Sequence, residues 1–208
     1  MRWNITGLLI ASCVVGALLM SCSRSGSGST PAPESEPGLT ISYEGTANQA
    51  LQLTSGLVYP STKTFSEPDG QGGFKQSQAS NYTFYLANYE LDGSSGAISL
   101  GSDLVKAGQL RVHFALVGRE GTEAGGVTSN PVEVAEHRAK AERFLRVDFA
   151  TISVFSGDKQ VTYDLDESTI DGTVTINSVQ GESVVGDINL KAGPNAIKGR
   201  FKAKVLQN

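Results

Sequence analysis

VVGDINLKAGPNAIKGRFKAKV, Val184 to Val205, carries the clearest structural pattern in the chain. Ile197, Gly199, Phe201, Ala203 and Val205 alternate with Lys198, Arg200, Lys202 and Lys204. Such a period of two puts the apolar set on one face of a half-buried antiparallel strand and the cations on the other. If Val184–Leu190 pairs with it around Ala192-Gly193-Pro194-Asn195, matched inner faces set Leu190 across from Ile197, Ile188 across from Gly199 and Gly186 across from Phe201. Each glycine then faces a bulky side chain able to lie over its bare backbone, and Asp187 faces Arg200. A slip of one residue would turn every apolar side chain to water, so this register is specified strongly. The preceding GTVTINSV joins through Gln180-Gly181-Glu182, and the chain is expected to end in a meander.

Working back from that hairpin, short alternating apolar runs are separated by Gly, Asn, Asp and Ser clusters, the pattern of strands and turns. Strands are expected at Leu39–Tyr43, Ala50–Tyr59, Tyr82–Glu90, Ala97–Leu100, Leu110–Val117, Leu145–Phe155, Val161–Leu165 and Gly172–Val179, before the final pair Val184–Leu190 and Ile197–Leu206. Asp69-Gly70, Asp92-Gly93, Gly157-Asp158 and Asp171-Gly172 mark turns. The predicted fold is all-β, an antiparallel β-sandwich with a C-terminal meander and at most one short helix; a barrel is the alternative. VEVAEHRAKAERFLR, Val132–Arg146, has the composition of a solvent-facing helix but no apolar stripe, which leaves a helix of about two turns and a loop both open.

Composition agrees. The 208 residues, 39% hydrophobic and 18% charged, suffice for one domain with a real core. With 24 glycines and a net charge of −4, the chain lacks the basic excess that phosphate neutralisation demands, which argues against nucleic acid as a partner. The only cysteines are Cys13 and Cys22. Cleavage before Cys22 would leave the folded part no other thiol to pair, oxidise or ligate a metal.

At the other end, Ile5 to Met20 is uncharged and mostly apolar, preceded by Arg2. It is shorter than the roughly 20 residues of a membrane span and suits the apolar region of a signal peptide. Leu19-Met20-Ser21-Cys22 resembles the lipobox of bacterial lipoproteins, in which a leucine, a variable residue and a small residue precede a cysteine. The resemblance implies a diacylglycerol on the Cys22 thiol, cleavage just before it and acylation of the new amino terminus. Ile10-Ala11-Ser12-Cys13 fits by residue type, but would leave too short an apolar region. Serine after the cysteine implies, in two-membrane bacteria, sorting to the outer membrane. Ser23 to Gly38, SRSGSGSTPAPESEPG, has no core-forming residue and reads as a solvated tether. The expected organisation is a lipoprotein signal peptide over 1–21, a lipidated cysteine and tether over 22–38, and a β-sandwich domain over 39–208. The C-terminal region, GTVTINSVQGESVVGDINLKAGPNAIKGRFKAKV, resembles the hairpins that end a loose group of uncharacterised bacterial lipoproteins, where a G-x-V-x-I strand precedes a G-x-F-x-A-x-V strand. It carries no catalytic residue.

Several constellations compete with plainer readings. The four cations of the last strand could meet phosphate, acidic glycan or anionic lipid, or could be the polar face that keeps an outer strand from associating. Asp164, Asp166 and Ser168 have the alternate spacing of a calcium loop, but Thr169 and Thr175 stand where an EF-hand needs glycine and glutamate; a strand end and turn fits better. Tyr82, Phe84, Tyr85 and Tyr89 concentrate aromatic rings, and Tyr85 and Tyr89 are the candidates for stacking on a sugar. His113, in LRVHFALV, and His137 read as surface histidines. Neither a nucleophile elbow nor a phosphate-binding loop is present, and no motif calls for a cofactor. The expectation is a lipid-anchored envelope protein whose β domain is a non-catalytic binding or structural module, with the membrane as one partner and a protein or glycan as another. A glycan-binding module, or an envelope hydrolase built from scattered carboxylates and His113, is the alternative.

Overall fold

The computed structural model describes residues 36–94, 100–121 and 132–206. Its strands, in chain order, are β1 (Gly38–Tyr43), β2 (Thr46–Gln52), β3 (Ser55–Pro68), β4 (Phe74–Ala87), β5 (Leu110–Glu120), β6 (Glu136–Arg138), β7 (Arg146–Ser156), β8 (Lys159–Leu165), β9 (Asp171–Gln180), β10 (Ser183–Ala192) and β11 (Asn195–Val205). The all-β reading holds, and β9, β10 and β11 form the expected meander.

The strands do not divide into separate sheets. Hydrogen bonding runs β10–β9–β6–β7–β5–β4–β3–β11, and β11 pairs back onto β10, so one continuous sheet closes on itself. β1 and β2 branch from β11, and β8 pairs with β7. The sheet is mixed, because β3–β11 and β6–β7 are parallel. Tight turns yield only antiparallel neighbours; parallel contacts need long connections, which local sequence does not reveal.

The β10–β11 register is the predicted one at every position named: Leu190 with Ile197, Ile188 with Gly199, Gly186 with Phe201 and Asp187 with Arg200. A Cβ on Gly186 would lie 2.5 Å from the Phe201 ring and 2.6 Å from the Thr175 carbonyl oxygen, so the ring does lie over bare backbone. At Gly199 the space is instead taken by β1, with the Gly38 carbonyl oxygen nearest. Inside the closed sheet, Phe84 and Phe114 stack with centroids 4.8 Å apart, and Phe201 meets both edge-on at 5.5 and 5.6 Å. All three are buried. Offset-stacked and edge-on contacts of this kind add to the area these rings withdraw from water.

Elsewhere the boundaries move. The run expected over Ala50–Tyr59 breaks at Leu53 and Thr54, separating β2 from β3. β3 and β4 then continue as a long hairpin through Ser61–Pro68 and Phe74–Ser80. Those arms are rich in Ser, Thr, Lys and Gln, so their period carries no apolar marker. The arm's loop is tied by Asp69, whose Oδ1 accepts from the Gln71 and Gly73 amides. The stretch expected as helix or loop over 132–146 is a loop over 132–145 that holds β6, bridges β7 and β9, and buries Val132, His137 and Ala139; Arg146 already opens β7. The strand expected at Ala97–Leu100 falls almost wholly outside the described residues.

Candidate functional site

The chain enters the domain beside its basic strand. Gly38 opens β1 directly opposite Arg200 of β11. Along one edge β11 pairs with β1 up to Arg200 and then, from Lys204, with β3. Where β11 changes partner a groove of about 560 Å³ opens, lined by Pro37, Leu53, Gly56, Glu182, Lys202 and Lys204 among others. Gly56 permits the crossing: a Cβ there would lie 2.2 Å from the Lys202 carbonyl oxygen. Lys198, Lys202 and Lys204 are exposed on the outward face. Lys204 pairs with Glu182 at 3.3 Å, Arg200 lies opposite Asp187, and Asp187 also accepts from Asn177. Lys198 and Lys202 form no ion pair among the described residues.

A second cluster sits on the outer face of the β4–β5–β7 wall, which is buried rather than solvated. Leu100 and Leu104, from the connection between β4 and β5, are buried, and so are Tyr85, Ala87, Arg111, Ala115 and Ser153 of the strands. Arg111 is the pin: its Nη1 donates to the carbonyls of Leu100 and Ser102 at 2.8 Å each, and its side chain hydrogen-bonds Tyr89. Fixing the connection in place offsets part of the cost of burying a guanidinium, because charge-assisted bonds to carbonyls replace water. His113 stacks on Tyr85 at 4.3 Å and meets Phe149 edge-on at 4.7 Å. Burial, reinforced by the Arg111 charge, lowers its imidazole to about 4, so it is neutral near pH 7. Burial likewise raises the hydroxyls of Tyr85 and Tyr89, against the pull of Arg111.

These positions redefine the residues singled out in the sequence. Tyr85 is 5% exposed and Tyr89 half-buried, so they form no open strip for a sugar ring. His113 lies among rings and a guanidinium, and His137 is fully buried opposite Val174, where burial lowers it to about 4 against the peptide groups of Val174 and Ala135. Neither is a surface histidine. In the acidic run, Asp166 Oδ1 accepts from the Ser168 amide and hydroxyl, both at 2.7 Å, which closes a turn, while Asp164 stands exposed on β8. The bonds from Ser168 hold the Asp166 carboxyl below its ordinary range. Among the described residues no three His, Cys, Asp or Glu side chains are placed to hold a metal ion. Cys22 lies outside the described residues.

Sequence reasoning missed the Arg111 pin and the charged cluster along the β3–β4 arm. In that cluster Asp148 takes Lys63 and Arg146, each at 2.5 Å, and Arg143 pairs with Glu67 while lying over Phe65 and Phe144. Burial would raise the Asp148 carboxyl, but its two cations outweigh that and keep it below the usual range. A signal for the first existed: TFYLA and HFALV are apolar on both faces, as strands covered on both sides are. The second brings Lys63 to Asp148, eighty-five positions away, and has no local signature. Comparison with protein families, with curated proteins and with solved structures found no match.

Proposed function

We propose that this chain is a lipid-anchored protein of the bacterial cell envelope, held to a membrane through Cys22, with a β domain that acts as a binding or structural module rather than as an enzyme. The observation that carries the reading is Leu19-Met20-Ser21-Cys22 at the end of an uncharged apolar run too short to span a bilayer. Ser23–Gly38 supports it, since a Ser, Gly and Pro stretch keeps a domain near a surface without entering it. In an envelope with two membranes, Ser23 favours the outer one. For the domain, the closed apolar core and the use of Arg111 and Asp166 as braces for connections favour a stable scaffold. Mass spectrometry of the mature protein from a bacterial host tests the anchor. The expected product begins at Cys22 and carries the mass of a diacylglycerol and an amide-linked acyl chain; an unmodified terminus elsewhere would overturn the reading.

A further inference from the structure

We infer that the outward face of β10–β11 lies against the anionic lipid surface to which the chain is anchored, with Lys198 and Lys202 as the surplus cations that orient it. The inference rests on the anchor at Cys22. On this face Lys204 pairs with Glu182 and Arg200 stands opposite Asp187, while Asp171, opposite Lys191, pairs with Lys140; among the described residues Lys198 and Lys202 form no ion pair and have no carboxylate opposite them. The positions paired with them are uncharged: Thr40 and Asn189 flank Lys198, and Val185 stands opposite Lys202. In a chain of net charge −4, this is a face of locally reversed sign. Its position matters as much as its charge. Pro37, the last residue before β1, lines the same groove as Lys202 and Lys204, so the anchored end of the chain leaves the domain at this face. Residues 23–37 reach at most about 50 Å when fully extended, which confines the face to the neighbourhood of the surface. Two lysines attract an anionic surface too weakly to gather a free protein, but anchoring makes the encounter intramolecular at high effective concentration.

The test uses the mature lipidated protein in vesicles of phosphatidylcholine, with or without phosphatidylglycerol. The readout is the rate of amine acetylation at each lysine, with exposed Lys75 and Lys159, on other elements, as internal references. On anionic vesicles Lys198 and Lys202 should react about fivefold more slowly relative to the references. That protection should vanish at high salt. In Lys198→Gln protein the protection of Lys202 should shrink, while thermal unfolding stays unchanged. Equal relative rates on the two vesicle types, in protein that floats with the vesicles, would overturn the docking and leave the anchor standing. Protein that fails to float with either would overturn the anchor and the inference together.

Discussion

The β10–β11 hairpin and the β4–β5–β7 wall are built from similar residues and solve different problems. β10 and β11 bury one face and wet the other, and their burial alternates as cleanly as their sequence. Residues 82–87 of β4 and 110–118 of β5 bury both faces, the inner against the phenylalanine core and the outer beside Leu100 and Leu104. One-sided burial prints itself on the chain because polar and apolar residues must alternate; two-sided burial erases that alternation and puts cationic and aromatic groups where water would be expected. Arg111 occupies such a position beneath Leu100, and His113 beside it is half-buried between the Tyr85 and Phe149 rings, whereas Lys198 is exposed.

The largest effect is expected at Phe201, which belongs to β11 but packs on the Phe84 and Phe114 rings of the two-sided wall. Phe201→Ala should cost about 4 kcal/mol in denaturant unfolding, since it leaves a cavity beside Phe84 and Phe114. A loss below about 1 kcal/mol, the range of exposed substitutions, would mean that the two regions do not share a core. Acid should separate them next. His113 and His137 have folded-state values of about 4, below the ordinary 6.5, so the unfolded chain binds more protons between those limits. Stability should be full above about pH 6.5 and fall as the pH drops towards 4, by on the order of 3 kcal/mol for each histidine. Imidazole proton resonances that titrated near 6.5 in the folded protein would contradict this.

Gly186→Ala should lose about 2 kcal/mol, because the new methyl meets both the Phe201 ring and a backbone carbonyl that cannot yield. Arg111→Gln should lose a similar or slightly smaller amount, about 1 to 2 kcal/mol, from carbonyls left with poorer partners. Its signature is local: amide exchange should quicken at 100–104 while β10 and β11 keep their protection. If exchange rose equally in both regions, the connection would be part of one cooperative core rather than a cover pinned by Arg111. Smallest of all, Lys198→Gln should change stability by no more than about 0.5 kcal/mol, as exposed positions do.

Much of the fold was legible. The final hairpin could be registered residue by residue because its inner face is continuous and its glycines fit only where a large side chain or a second backbone approaches. The β3–β4 arm was not legible past Tyr59, since Ser61–Pro68 pairs with Phe74–Ser80 through backbone bonds and polar side chains that leave no periodic trace. β6 escaped notice because its Glu, Arg and Lys neighbours have helical composition, yet Glu136, His137 and Arg138 fill a place between β7 and β9 that only the closed sheet creates. Among the candidate residues, Asp166 closes the expected turn through Ser168, whereas the burial of Tyr85 and the seat of His113 between Tyr85 and Phe149 depend on contacts between strands.

The strand-forming character of the chain, the register of its last hairpin and the apolar composition of residues 5–20 are legible in the sequence alone, because each is encoded by neighbours within a few residues or across one tight turn. Three-dimensional packing set the rest: the sheet closes on itself, β11 divides its edge between β1 and β3 beside the chain's entry point, Arg111 lies beneath the β4–β5 connection, and His113 lies between two rings. Those outcomes depend on contacts between residues far apart in the chain, where burial is set by what packs on top and not by the residue's own polarity.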